Sequence, residues 1–91
     1  MASVLVSMYA TLRSASGTER LSVDASSLPE VDRVLRERYG AEMERILGSS
    51  DTPFEGVVVL LNGVNVPRKR LSEVSLRDGD EIAVFPPISG G

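Results

Sequence analysis

The chain has no cysteine, no histidine and no tryptophan, and it carries only two tyrosines and two phenylalanines. Without cysteine there is no disulfide, and thiol content says nothing about a redox compartment. Without cysteine and histidine, the usual zinc and transition-metal donor sets cannot be assembled. Nucleophiles of the Ser-His or Cys-His kind are excluded for the same reason. Carboxylates remain, but they are scattered. Asp78, Asp80 and Glu81 form the tightest group, in DGDE, and their spacing matches no calcium loop. They read as a turn, in which Asp-Gly supplies the tight backbone and acidic side chains flank the next strand. A self-sufficient enzyme is not expected, and neither is a metal or a bound cofactor.

Basic charge is also short. Ten Lys and Arg stand against thirteen Asp and Glu, a net charge of −3, so no broad basic face is expected for nucleic acid. Arg68-Lys69-Arg70 is the one basic run; it reads as a solvated loop or, alternatively, as a contact for an acidic partner. Lys69 is the only lysine. No apolar run approaches the ~20 residues needed to span a bilayer, so no membrane association is expected. The opening MASVLVSMYATL has no basic leader and no small-residue cleavage site, which makes a cytoplasmic location the expectation.

What is present suits one small globular domain. The 91 residues are 42% hydrophobic and 25% charged, ordinary values for a folded chain. Residues 3–9, SVLVSMY, read as a strand with Val4, Val6 and Met8 on one face. A turn cluster at 14–19 follows, then a second strand at 19–25 with Leu21 and Val23 inward, so the two strands predict a hairpin. Ser27 and Glu30 have capping-box spacing, and Pro29 suits a first helical turn. Leu28, Val31, Leu35 and Tyr39 recur at helical spacing, with Arg33, Arg36 and Glu37 facing water. Gly40 is a natural stop, after which 41–47 continues the helix or starts a second. The stretch 48–56 breaks the pattern. Residues 57–61, VVVLL, read as a buried strand, and Asn62-Gly63 is a strong hairpin signal leading to a short strand at 64–66. From Pro67 to Asp80 the chain is irregular, with room for one helical turn near 71–74. Residues 81–85, EIAVF, form the last strand, which Pro86-Pro87 ends. One helix packed across this small sheet would bury both apolar faces.

In this order, the motifs resemble the β-grasp, or ubiquitin-like, fold: α+β, with a mixed sheet of four to five strands packed against one main helix. More narrowly, the chain resembles the small subunit of molybdopterin synthase and its sulfur-carrier relatives. YATLR (9–13) resembles the end of that family's first strand, LLNGVNV (60–66) its central hairpin, and LRDGDEIAVFPPISGG (76–91) its closing segment. The last is the specific part: a DGD turn, a strand, FPP and then Gly-Gly. Residues 41–56 look slightly longer than in the shortest members. The implied division is a β-grasp domain over 1–85 and a C-terminal tail over 86–91.

The resemblance implies a carrier rather than an enzyme. The Gly91 carboxylate would be adenylated by a ubiquitin-activating-type adenylyltransferase that uses ATP. It would then be converted to a thiocarboxylate, which donates sulfur to a pterin precursor in the large subunit of molybdopterin synthase. The residue types fit. Gly90 and Gly91 have no Cβ and let backbone approach a nucleotide closely. Pro86 to Gly91 reach at most ~20 Å, and the prolines restrict the tail and reduce the entropy lost on insertion. Ile88 is a candidate anchor, and the tail from about Ile88 is expected to be mobile when free and ordered in a complex. Phe85, Pro86, Pro87 and Ile88 are the expected partner contacts, although Phe85 reads equally well as core. The outer sheet face near the last strand is expected to show an apolar patch that includes Phe85 and part of VVVLL. Three other roles share this pattern: a modifier joined to lysines of other proteins, a sulfur carrier for transfer RNA thiolation or thiazole synthesis, and a plain interaction module. The FPP lead favours the molybdopterin branch over the thiazole one.

Overall fold

Alternation along the strands decides which side chains are buried. The computed structural model describes residues 2–49 and 51–87. In β1 (Ala2–Met8), Ala2, Val4, Val6 and Met8 point into the core. β2 (Arg20–Ala25) pairs antiparallel with β1, setting Val4 opposite Val23. β5 (Glu81–Phe85) lies parallel to β1 on its other side, with Val6 opposite Ile82 and Met8 opposite Val84. β3 (Val58–Leu61) pairs antiparallel with β5, and the short β4 (Val64–Asn65) closes the edge. The sheet order is β2-β1-β5-β3-β4, a mixed five-stranded β-grasp sheet with its helices on one face. The Asn-Gly hairpin forms as expected, with φ of 50° at Asn62 and 85° at Gly63, the pair of positive values that a two-residue turn of this hand requires.

The main helix, α2 (Leu28–Tyr39), starts at Ser27, whose side chain accepts from the Glu30 backbone N–H. Glu30 reaches back to Ser26, accepting from its backbone N–H and its hydroxyl. Those bonds hold the exposed Glu30 carboxyl below its ordinary range, led by the backbone N–H of Ser26. Leu28, Val31 and Leu35 bury the apolar stripe against the sheet. Gly40 then separates α2 from a second helix, α3 (Ala41–Leu47), which adds Met43 and Leu47 to the same core.

Several of these expectations are corrected. The first two strands do not form a simple hairpin: a short helix, α1 (Thr11–Ser16), stands between them and ends at Gly17, whose N–H donates to Arg13 O. Leu12 from this helix is fully buried and plugs the end of the core, and YATLR therefore lies past the end of β1 (Met8), Thr11–Arg13 falling within α1, not in the first strand. VVVLL is not buried on both faces. Val57 and Val59 are buried, whereas Val58 and Leu60 point the other way and are half-buried.

Arg36 does not face water. It sits buried beside Asp32 with Nε 2.6 Å from Oδ1. Its other nitrogens donate to Gly48 O at 2.8 Å and Ser49 O at 3.2 Å, and Asp32 also accepts from the Phe54 N–H at 2.7 Å. An ion pair out of water is tolerated when its remaining donors and acceptors are used in this way. Its role is to fasten the loop after α3. That loop forms as expected, but it also carries Phe54, which is fully buried and stabilises the fold by about 1.5–3 kcal/mol. The loop packs so closely that a Cβ on Gly56 would lie 2.5 Å from Ile46 O. Arg68-Lys69-Arg70 opens a 3-10 helix (Arg68–Glu73) rather than a loop, and all three remain exposed, while Leu71 anchors the helix in the core.

Candidate functional site

The register of β5 begins at the DGD turn. Ser3 N–H donates to Asp78 Oδ1 at 2.7 Å. Asp80 accepts from the Arg77 N–H at 2.8 Å and from Asn62 Nδ2 at 3.0 Å. These bonds, the Arg77 backbone N–H first and Asn62 second, hold the Asp80 carboxyl below its ordinary range. Glu81 N–H in turn donates to Asn62 Oδ1 at 2.9 Å. The acidic cluster is thus structural. It ties the start of β5 to both neighbouring strands and fixes which side chains point outward.

With Ile82 and Val84 inward, Ala83 and Phe85 face out. Phe85 is opposite Val58 on β3. On its other side, Tyr9 follows β1 and its N–H donates to Val84 O at 3.3 Å. Ala10 has a φ of 53°, a left-handed turn uncommon for a residue with a Cβ. It swings the chain from β1 into α1 and leaves Tyr9 on the outer face. The Tyr9 and Phe85 rings stack with centroids 4.5 Å apart and planes 10° from parallel. Tyr9 is 43% exposed, and Phe85 and Pro86 are half-buried.

Together Tyr9, Ala10, Val58, Leu60, Phe85 and Pro86 line a groove of about 350 Å³. A second cleft of about 450 Å³ continues it along the outer face towards Asn62 and Glu81. The expected apolar patch is therefore present at the root of the tail, and Phe85 belongs to it rather than to the core. Pro86 forms its rim and Pro87 is exposed. Ile88, Gly90 and Gly91 lie outside the described residues, as does the expected mobility of the tail. Tyr9 is the residue sequence reasoning passed over, although the parity that turns Val4, Val6 and Met8 inward already placed it on the outer face.

A groove of this kind can seat an apolar side chain of another protein. Among the described residues no group of three or more His, Cys, Asp or Glu is gathered to hold a metal ion, and no helix is long and apolar enough to cross a membrane.

The fold is that of a ubiquitin-like protein, with an apolar groove beside the end of its last strand. The model of the ThiS family matches residues 6–91, and the chain belongs to that family. It is 29% identical over 73 residues to a putative sulfur carrier protein of Archaeoglobus fulgidus, covering 78% of this chain and 83% of that protein. The solution structure of small archaeal modifier protein 1 from Methanosarcina acetivorans superposes with a TM-score of 0.83 at 33% identity, covering 100% of this chain and 98% of that one. A complex of subunits 1 and 2 of molybdopterin-converting factor from Helicobacter pylori matches with a TM-score of 0.68 at 25% identity, over 98% of this chain and 99% of its counterpart. The chain is thus a relative of small carrier and modifier proteins, some of which are solved in complex with protein partners.

Proposed function

We propose that this protein is a cytoplasmic sulfur carrier and the small subunit of a molybdopterin synthase, with Gly91 as its reactive residue. The Gly91 carboxylate attacks the α-phosphorus of ATP in a ubiquitin-activating-type adenylyltransferase. Pyrophosphate leaves and an acyl-adenylate forms. A sulfur nucleophile then displaces AMP and leaves a thiocarboxylate. In the synthase, the tail enters the large subunit, where the pterin precursor takes the sulfur. The carrier holds no cofactor and has no active site of its own. The observation that carries this reading is the stacked Tyr9–Phe85 groove directly before Pro86-Pro87: a partner gripping that face is positioned to receive the chain that leaves it. The Helicobacter pylori two-subunit complex supports a synthase role. Glycine at 90 and 91 suits a channel that admits only backbone.

A second reading is favoured by the archaeal modifier, which resembles this chain over its full length. There the activated Gly91 is passed to a lysine amine of another protein. Intact-mass measurement on protein from its native cell separates the two. Replacement of one oxygen by sulfur marks the carrier, and branched peptides ending in Gly90-Gly91 on other proteins mark the modifier. Protein bearing neither change, in cells that make active molybdoenzymes, overturns both.

A further inference from the structure

The two edges of the sheet are finished differently. β4 is two residues long, and Pro67 follows just beyond it, an ending that blunts an edge against further pairing. β2, at the opposite edge, is six residues long, contains no proline and pairs with β1 along its whole length without a bulge. One bond sets the phase of its backbone: Met8 N–H donates to Glu19 O at 2.8 Å. Glu19, Leu21 and Val23 therefore turn their backbone groups to β1, and Arg20, Ser22 and Asp24 turn theirs to the open edge. Among the described residues no other backbone segment bonds to those of Ser22 or Asp24. The stretch is closed at both ends. Arg20 O accepts from the Thr18 hydroxyl at 3.0 Å. Past Ala25, Ser26 N–H donates to Glu30 and Ser26 O accepts from the Leu76 N–H. The open edge is thus residues 20–24, with Ser22 at its middle.

The side chains on this edge are self-complementary. Arg20, Ser22 and Asp24 are exposed, whereas Leu21 is half-buried and Val23 is buried on the inner face. Across the ladder Arg20 faces Ser7 and Asp24 faces Ser3, neither of which carries charge. Among the described residues the ion pairs are Arg13–Glu19 and Asp32–Arg36, so neither Arg20 nor Asp24 has an ionic partner. A second copy laid antiparallel, Ser22 opposite Ser22, sets Arg20 opposite Asp24 twice over. Arg20, Ser22 and Asp24 then each exchange both backbone bonds with the residue they face. On the inner face the half-buried Leu21 stands against Val23 of the second copy. Other registers lose this match. Sliding by one residue opposes backbone groups that point the wrong way. Sliding by two replaces both ion pairs with contacts to Ser22. Sliding by four, or pairing in parallel, sets like charge against like, which is destabilising.

We propose that this protein associates with a second copy of itself through β2, forming a two-fold symmetric pair whose sheet runs unbroken across the interface and whose register is fixed by Arg20 and Asp24. Such an interface uses one patch on both copies. The paired stretch is short, so the association is weak and reversible. Val58, Leu60 and Phe85 lie on β3 and β5, away from β2, so the grooves of both copies stay open in the pair. The pairing does not depend on Gly91 or on sulfur chemistry.

The test is sedimentation of the full chain over a concentration series reaching about 1 mM, where weak pairs become populated. Wild type should pass reversibly from monomer to dimer. R20D and D24R each replace two ion pairs with two like-charged pairs, and each should weaken the dimer about tenfold or more. Mixed in equal amounts, the two variants should associate about as tightly as wild type, because one strand then carries two acids and the other two bases. Amide exchange reads the register: the N–H groups of Arg20, Ser22 and Asp24 should slow as wild-type concentration rises, while those of Leu21 and Val23, already bonded to β1, should not change. A wild type that stays monomeric at about 1 mM overturns the proposal. So does a dimer that R20D and D24R leave intact, or a mixture of the two that associates no better than either alone.

Discussion

The two faces of the sheet are made by the same strands and do opposite work. On β5, Ile82 and Val84 are sealed under the helices while Ala83 and Phe85 look outward. On β3, Val59 is buried and Val58 and Leu60 line the open groove. The inner face is closed by α1, α2, α3 and the Phe54 loop. The outer face carries a Tyr9–Phe85 stack that no helix among the described residues covers. Side chains one residue apart are thus assigned to the core or to the open groove by parity alone. Mutations can separate these two roles in a way that a single mixed core would not allow.

The largest loss of stability is expected on the covered side, at Asp32→Ala. Removing one partner of a buried pair leaves Arg36 charged and uncompensated, which costs about 3–5 kcal/mol. It also frees the Gly48–Phe54 loop that the pair fastens. Denaturant unfolding should show the loss directly, and a change under about 1 kcal/mol would mean the pair is not holding the loop. Next comes Ile82→Ala, which leaves a cavity under α2 and should cost about 2–4 kcal/mol. Partner affinity per folded molecule should be unchanged, because Ile82 points away from the groove.

Phe85→Ala reverses that pattern. Affinity for the activating enzyme or the large subunit should fall by more than about 1 kcal/mol, a hot-spot effect. Stability should drop by no more than the ~0.5–1.5 kcal/mol of a lost aromatic pair. A variant that unfolds but binds normally when folded would return Phe85 to the core and erase the distinction between the faces. The smallest effect is in acid. The Asp80 and Glu30 carboxyls are both held below their ordinary range, chiefly by the backbone N–H groups of Arg77 and Ser26. Each therefore contributes stability above its unfolded-state value that is lost as pH falls through its lower folded value. Asp80→Asn should flatten the acid limb of a stability-versus-pH curve below about pH 4, and an unchanged limb would remove Asp80 from the anchoring of β5.

Much of this arrangement was legible in the chain. The β-grasp order, the α2 cap at Ser27, the Asn62-Gly63 turn and the patch at Phe85 all follow from local chemistry or from motif likeness. What escaped had physical reasons. α1 is hidden because Tyr9 and Thr11 favour strands and Ser14, Ser16 and Gly17 favour turns. Only the burial of Leu12, a tertiary effect, makes that stretch helical. Asp32 and Arg36 carry the spacing of an ordinary exposed helix pair, and their burial depends on a loop that packs over them from more than ten residues away. Phe54 lies among Ser, Asp, Thr and Pro, and one aromatic in such surroundings carries no periodicity to reveal it. In VVVLL every residue is apolar, so the sequence cannot say which face is covered.

The central claim is that the groove serves Gly91, and a single intact-mass measurement tests it most directly. The full chain, a variant lacking Gly91 and a variant extended past Gly91 are each incubated with the activating enzyme, ATP and a sulfide source. Thermal unfolding should be the same for all three, since the changes fall beyond Pro87. Deletion draws the carboxylate back by about 3.5 Å, more than a catalytic geometry tolerates, and extension buries it in a peptide bond. Only the full chain should exchange one oxygen for one sulfur. Equal sulfur gain by the variant lacking Gly91 would contradict it.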